Sequence, residues 1–179
     1  RYLQSLGREI DLTVAQLGRG QPVSQLHWGG GSPTFLRNED MLALKERLSD
    51  AFQWMPGGEY SIEVDPRTVD ASRLAVIRQM GFNRLSFGVQ DFDPAVQKAV
   101  HRVQPAEQVF ALVAEARHIG FESINVDLIF GLPLQAADGF ARTIDDVLAL
   151  GMWLDVNGVR RQTGSTSTMI FSPPFLVHY

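Results

Sequence analysis

Apolar residues at the start of the chain fall at Leu3, Leu6, Ile10, Val14 and Leu17. Spacings of three and four put them on one face of a helix, which Gly18 and Gly20 end. The pattern then changes. "VSQLHW" is a short run closed by glycines and predicts a strand, and "RNEDMLALKERLSDAF" returns to the helical period. There Asn38 is the expected cap, acids occupy the first turn, and Met41, Leu44, Leu48 and Phe52 point inward. "YSIEVD" (Tyr60 to Asp65) predicts a second strand, Asp70 caps the helix "ASRLAVIRQM", and Gly81 stands where a left-handed C-terminal turn is expected. "RLSFGVQ" (Arg84 to Gln90) is a third strand, trailed by a short helix from Pro94 and a long one from Pro105 to about Ile119. "SINVDLIFG" (Ser123 to Gly131) is a fourth, and Phe140, Ile144, Val147 and Leu148 line the helix after it.

Strands alternating with helices at intervals of roughly 25 to 40 residues predict parallel pairing through right-handed crossovers, hence an α/β sheet or barrel. The leading helix has no strand in front of it. The natural reading is an interior slice, with a first strand and its loop upstream of Arg1, which is not a methionine.

Composition narrows the function. The chain has 179 residues, 45% of them hydrophobic, which supports one globular core. With 16 Lys and Arg scattered among 20 acids and a net charge of -4, no basic face exists for nucleic acid. No apolar run is long enough for a membrane span and no signal pattern opens the chain, so a soluble, cytoplasmic protein is expected. There is no cysteine, which leaves neither a disulfide framework nor a thiolate metal site in these residues. No pair of histidines has metal-ligand spacing, and His27 and His101 read as surface or strand-edge residues.

Unusual polar residues cluster at the C-terminal ends of the strands: Gly29 to Ser32, Glu63 and Asp65, Gln90 and Asp91, Asp127 and Gly131. In parallel α/β folds ligands bind beyond those ends, so this recurrence predicts one site there. Taken singly, each has a plainer explanation. The glycine run is a tight loop, and it is not a dinucleotide fingerprint because Thr34 occupies the third glycine position. Glu63 is a capped strand-end carboxylate, Gln90 bonds loop backbone, Asp127 pairs with an arginine, and Arg102 is a solvated charge.

The stretches "HWGGGSPTF", "IEVDPRTVD", "GFNRLSFGVQDFDPAVQKAVHRVQ" and "SINVDLIFGLPLQ" resemble the oxygen-independent coproporphyrinogen III oxidases (coproporphyrinogen dehydrogenases) of the radical S-adenosylmethionine superfamily. The likeness runs from Tyr2 to Gly151. A haem chaperone type within the superfamily is a near relative and the alternative reading. "EVDPR" and "GVQDF" stand where that type tends to show "EANPG" and "GVQSF". A third reading is a generic barrel enzyme using Glu63 and Asp127 as acid and base.

The resemblance implies a partial (β/α)6 TIM-like barrel over residues 1–151. Its first strand would end in a CxxxCxxC loop, not found in these residues, holding a 4Fe-4S cluster. It further implies that S-adenosylmethionine on that cluster yields a 5'-deoxyadenosyl radical, with an electron donor as partner. The substrate implied is coproporphyrinogen III, two of whose propionates become vinyls to give protoporphyrinogen IX. By the same resemblance Gly30 and Glu63 hold the cluster-bound cofactor along bare glycine backbone. Gly31, Ser32, Gln90, Arg102 and Asp127 match positions of a second S-adenosylmethionine. Ser32 stands where threonine is usual, and Phe130 where tyrosine is common. Residues 152–179 depart from the family and read as a divergent tail, frameshifted or foreign, in which Met152 to Val156 is still a candidate strand, "QTGSTST" is loop-like and "MIFSPPFLVHY" has no period.

Overall fold

A computed structural model describes residues 1–150, 152–156 and 159–164. It separates into two compact units, the first Arg1–Gly88 with Ala111–Asn125, the second Val89–Phe110 with the described residues from Val126 onward.

The first unit opens with α1 (Tyr2–Leu17), β1 (Gln21–Trp28), a 3-10 turn at Pro33–Phe35, α2 (Asn38–Ala51) and β2 (Phe52–Val64). A second 3-10 turn at Pro66–Thr68, α3 (Ala71–Gln79) and β3 (Arg84–Gln90) follow. With β4 (Ser123–Leu128), the strands form a sheet in the order β1-β2-β3-β4, and β1 with β2 and β2 with β3 pair in parallel. The α/β class and its alternation of strand and helix are as the periodicity predicts. Strand β3 alternates strictly, burying Leu85, Phe87 and Val89. Ile62 and Val64 of β2 stand opposite Leu85 and Phe87, and Leu74, Ile77 and Phe82 are fully buried as well. Each large apolar side chain buried in this way contributes about 1.5–3 kcal/mol.

Local signals explain the element ends. Asp70 accepts from the Arg73 amide at 2.8 Å and from Ser72 Oγ at 2.7 Å, capping α3 as expected. Those bonds, the Ser72 hydroxyl first, hold its carboxyl below the usual range. Gly81 takes φ 93°, the left-handed turn that ends the helix.

Two expectations need correction. Asn38 is not the cap of α2: Arg37 holds that position in extended backbone, and its guanidinium bonds Asp40 at 3.0 Å, which raises its pKa. Phe52 is not the last inward residue of the helix but the first of β2, which starts eight residues before Tyr60. "WMPGG" forms a bulge within β2, with register lost between Val23 and Gln25 of β1 and Gly57 at φ 75°. Tyr60 Oη ties this bulge down by donating toward Val23 O (3.0 Å) and Met55 O (2.7 Å).

The second unit takes in the ends of β3 and β4, α4 (Pro94–Ala99), the start of α5 (Ala106–His118) and α6 (Ala137–Ala149). Asp93 caps α4 through the Ala95 amide at 2.8 Å, with Pro94 in the first turn. Strands β5 (Met152–Val156) and β6 (Val159–Gly164) pair antiparallel. Met152 to Val156 is therefore the strand anticipated. The loop expected from Gln162 is corrected at its start, because Gln162 to Gly164 belong to β6. "MIFSPPFLVHY" lies outside the described residues.

Candidate functional site

The register of β1 on β2 sets His27 opposite Ser61, and that of β2 on β3 sets Glu63 opposite Ser86. Side chains alternate across a sheet, so these polar residues share one face while Trp28, Ile62, Val64 and Phe87 enter the core on the other. His27 Nδ1 lies 2.8 Å from Ser61 Oγ, and its Nε2 lies 3.3 Å from Glu63 Oε1. Glu63 Oε2 accepts the Gly30 amide at 2.9 Å. The Glu63 side chain remains 43% exposed, and its two oxygens keep acceptor capacity beyond these two contacts.

The three glycines have different reasons. A Cβ on Gly29 would overlap the His27 imidazole and come within 2.8 Å of Glu63 Oε1. Gly30 and Gly31 take φ 72° and 58°, and a Cβ on either would meet nothing within 4 Å. Backbone conformation demands glycine there, not space within the chain. Ser32 continues the left-handed run at φ 56° without glycine's freedom, a conformation that costs about 1–2 kcal/mol. The loop is pinned behind by Thr34, buried, with Oγ1 2.6 Å from Thr68 Oγ1. In front of it lies a groove of about 540 Å³ lined by His27 to Pro33 and by the apolar Tyr2, Leu6, Ile10, Leu44 and Leu48.

Not every strand-end polar residue joins this face. Asp65 is buried, accepts the Arg67 amide at 3.0 Å and pairs with Arg67 Nη2 at 2.6 Å, so it shapes the turn after β2. That contact raises the Arg67 pKa. Gly30, Gly31, Ser32 and Glu63 are thus brought together within the first unit.

Gln90, Arg102 and Asp127 lie in the second unit. Gln90 adopts φ 71° and accepts the Ile129 amide at 3.0 Å through its carbonyl. Its side-chain Oε1 is buried with no hydrogen-bond partner among the described residues. Arg102 is half-buried on a loop clamped by two glutamines. Gln97 Nε2 donates to Asp91 O and Gln104 O, both at 2.9 Å, and Gln97 Oε1 accepts the Gln104 amide at 3.0 Å. Asp127 is exposed near the end of β4. Asp91 is the loop-builder here: it accepts Thr143 Oγ1 and the Asp93 amide at 2.7 Å each, and Gln135 Nε2. Phe130 is 67% exposed and packs on Phe140, ring centroids 5.4 Å apart.

Sequence reading missed His27 and Ser61 as neighbours of Glu63, Gln97, Gln104 and Thr143 as buried hydrogen-bonding groups, and the half-buried Gln135 as another. His27 is indeed exposed and on the outer strand, but its ring touches the candidate carboxylate. The available signal was the alternation that places His27 two residues before Gly29. No group of three or more His, Cys, Asp or Glu suited to a metal occurs among the described residues, and none of their helices is long and apolar enough to cross a membrane.

A profile described as the radical SAM superfamily matches residues 7–147. This chain belongs to the radical SAM superfamily. Within it, the chain is similar to the oxygen-independent coproporphyrinogen III oxidase of Pseudomonas aeruginosa, 48% identical over 151 residues, covering 83% of this chain and 33% of that protein. A protein of the same name from Escherichia coli is 49% identical over 150 residues, covering 84% and 33%. Among solved structures, the coproporphyrinogen III oxidase from Escherichia coli, described as a radical SAM enzyme, matches with TM-score 0.78 and 49% identity over 83% of this chain and 34% of that one. An archaeal Elp3 from Methanocaldococcus infernus matches with TM-score 0.55 over 79% of this chain and 37% of that one, at 13% identity, a likeness of fold alone. This radical SAM chain spans about a third of the length of the curated relatives it matches.

Proposed function

We propose that this chain is the S-adenosylmethionine-holding part of an oxygen-independent coproporphyrinogen III oxidase. The observation that carries the reading is Glu63, fastened through one oxygen to the Gly30 amide beside a left-handed glycine loop and met at the other by His27, with its side chain still 43% exposed. A carboxylate so held accepts from the ammonium or hydroxyl donors of S-adenosylmethionine, and the open side of Gly30 and Gly31 leaves backbone free to meet them. Gln90, Arg102 and Asp127, all in the second unit, are proposed for a second S-adenosylmethionine. The unpartnered Gln90 oxygen and its left-handed backbone support its place in that set.

S-adenosylmethionine supplies the hydrogen-abstracting chemistry when bound. The chain's own residues bind and orient it. They do not fit the 4Fe-4S cluster, which needs thiolates where this sequence has no cysteine. The 179-residue chain alone, treated anaerobically with iron and sulfide, should therefore show no cluster absorbance. The apolar wall of the groove, Tyr2, Leu6, Ile10, Leu44 and Leu48, is better suited to further polypeptide than to the charged cofactor.

The test is made on the full-length protein carrying this chain, reconstituted anaerobically with an electron donor. Coproporphyrinogen III should lose two carboxyl groups as carbon dioxide and gain two vinyls without oxygen. Haem binding with no decarboxylation would overturn this reading in favour of the chaperone type.

A further inference from the structure

We propose that His27 is a positioning residue for Glu63, braced by Ser61 and admitted by the missing side chain of Gly29. This rests on the reading of Glu63 as a cofactor-holding carboxylate and names what holds that carboxylate in place.

The argument starts from the sheet. Register puts His27 directly opposite Ser61, and Glu63 two residues farther along the same face. The imidazole therefore bridges between them, 2.8 Å from Ser61 Oγ and 3.3 Å from Glu63 Oε1. A carboxylate only accepts, so Nε2 carries the proton of that contact, and Nδ1 meets the hydroxyl. Glu63 has three side-chain torsions to immobilise, and the Gly30 amide reaches only one of its oxygens. His27 engages the other. Both carboxylate oxygens are then held, and the plane of the group is set rather than left to rotate.

Gly29 makes the bridge possible. It follows His27 by two positions and so lies on the same face, where any Cβ would overlap the imidazole and crowd Glu63 Oε1. Its φ is not left-handed, so backbone conformation is not what requires glycine here. The first glycine of the run serves the histidine, and the next two serve the turn.

The experiment uses the full-length reconstituted protein and reads S-adenosylmethionine affinity and melting temperature on the same samples, with Glu63→Gln as reference. His27→Ala should weaken binding roughly three- to tenfold at an unchanged melting temperature, the loss of one charge-assisted contact at an exposed site. His27→Gln, which keeps a donor at the position of Nε2, should restore most of it. Gly29→Ala should weaken binding at least as much as His27→Ala. The double variant His27→Ala, Gly29→Ala should be no worse than Gly29→Ala alone, because the two act through one contact. If Glu63→Gln weakens binding and His27→Ala does not, the proposal falls and the reading of Glu63 stands. If neither changes affinity, the reading falls and the proposal with it. A His27→Ala loss that appears equally in melting temperature and is not rescued by glutamine makes His27 a structural residue and also overturns the proposal.

Discussion

Glu63 in the first unit and Asp91 in the second are both acidic residues at the end of a core strand, and their surroundings are opposite. Asp91 is 1% exposed and receives the Thr143 hydroxyl, the Asp93 amide and the Gln135 side-chain amide, so its acceptor sites are spent on the protein. Glu63 is half-exposed, receives one backbone amide and the exposed His27 ring, and sits beside a loop whose residues run left-handed one after another. A buried carboxyl surrounded by donors holds loops together. A half-exposed one that meets a single protein donor at each oxygen is left with capacity for something that is not part of the chain. Asp65, buried against Arg67, belongs with Asp91.

The sharpest way to break this contrast is Asp91→Ala. Three donors would lose their acceptor in a buried place, and stability should fall by about 2–4 kcal/mol, read as a shift of the denaturant midpoint in the full-length protein. Asp91→Asn should also destabilise, since its amide would present a donor to Gln135 or Thr143. A change below 1 kcal/mol for both, on the scale of an ordinary surface substitution, would end the division into loop-builder and open carboxylate.

Glu63→Gln tests the other side. Affinity for S-adenosylmethionine should fall roughly ten- to a hundredfold, the worth of one charge-assisted bond, while melting temperature stays put. A lowered melting temperature with unchanged affinity would move Glu63 into the company of Asp91.

Gly30→Ala sharpens the contrast at the backbone. Nothing stands within 4 Å of the added methyl, so the cost is conformational, about 1 kcal/mol for an alanine at φ 72°. A neutral effect on the denaturant midpoint would show that the left-handed turn is not what demands glycine.

The smallest effect is expected at Asp70, an exposed carboxyl whose bonds are turned inward to Ser72 and Arg73. Its pKa is lowered in the fold, so its contribution is present above the ordinary carboxylate range and lost as pH falls through the lowered value. Asp70→Asn should lower the melting temperature slightly at neutral pH, and the difference should shrink on acidification. An equal difference at neutral and strongly acid pH would show that the charge is not involved. Exposure by itself thus does not make a site.

The order of strands and helices was legible from local physics. Period-3.6 and strand-like runs, Asp70 before α3, Gly81 after it and Pro94 in a first turn each act within a few residues, and each was found where expected. Local reasoning failed where distant contacts decided. Phe52 fits the period of α2 and is instead the first residue of β2, because Gln21 of β1 pairs opposite it. Asn38 has the chemistry of a cap, but the chain enters the helix one residue earlier at Arg37.

For the candidate site, sequence by itself determined which residues stand at strand ends and that a glycine run follows the first strand, because strand length and turn chemistry are written in neighbouring residues. Only tertiary structure decided which of those residues face outward together. The contact of His27 with Ser61 joins residues 34 apart and depends on register, which no local pattern specifies. Whether a strand-end acid is spent on the fold, as Asp91 is, or left open, as Glu63 is, depends on which donors the folded chain brings to it.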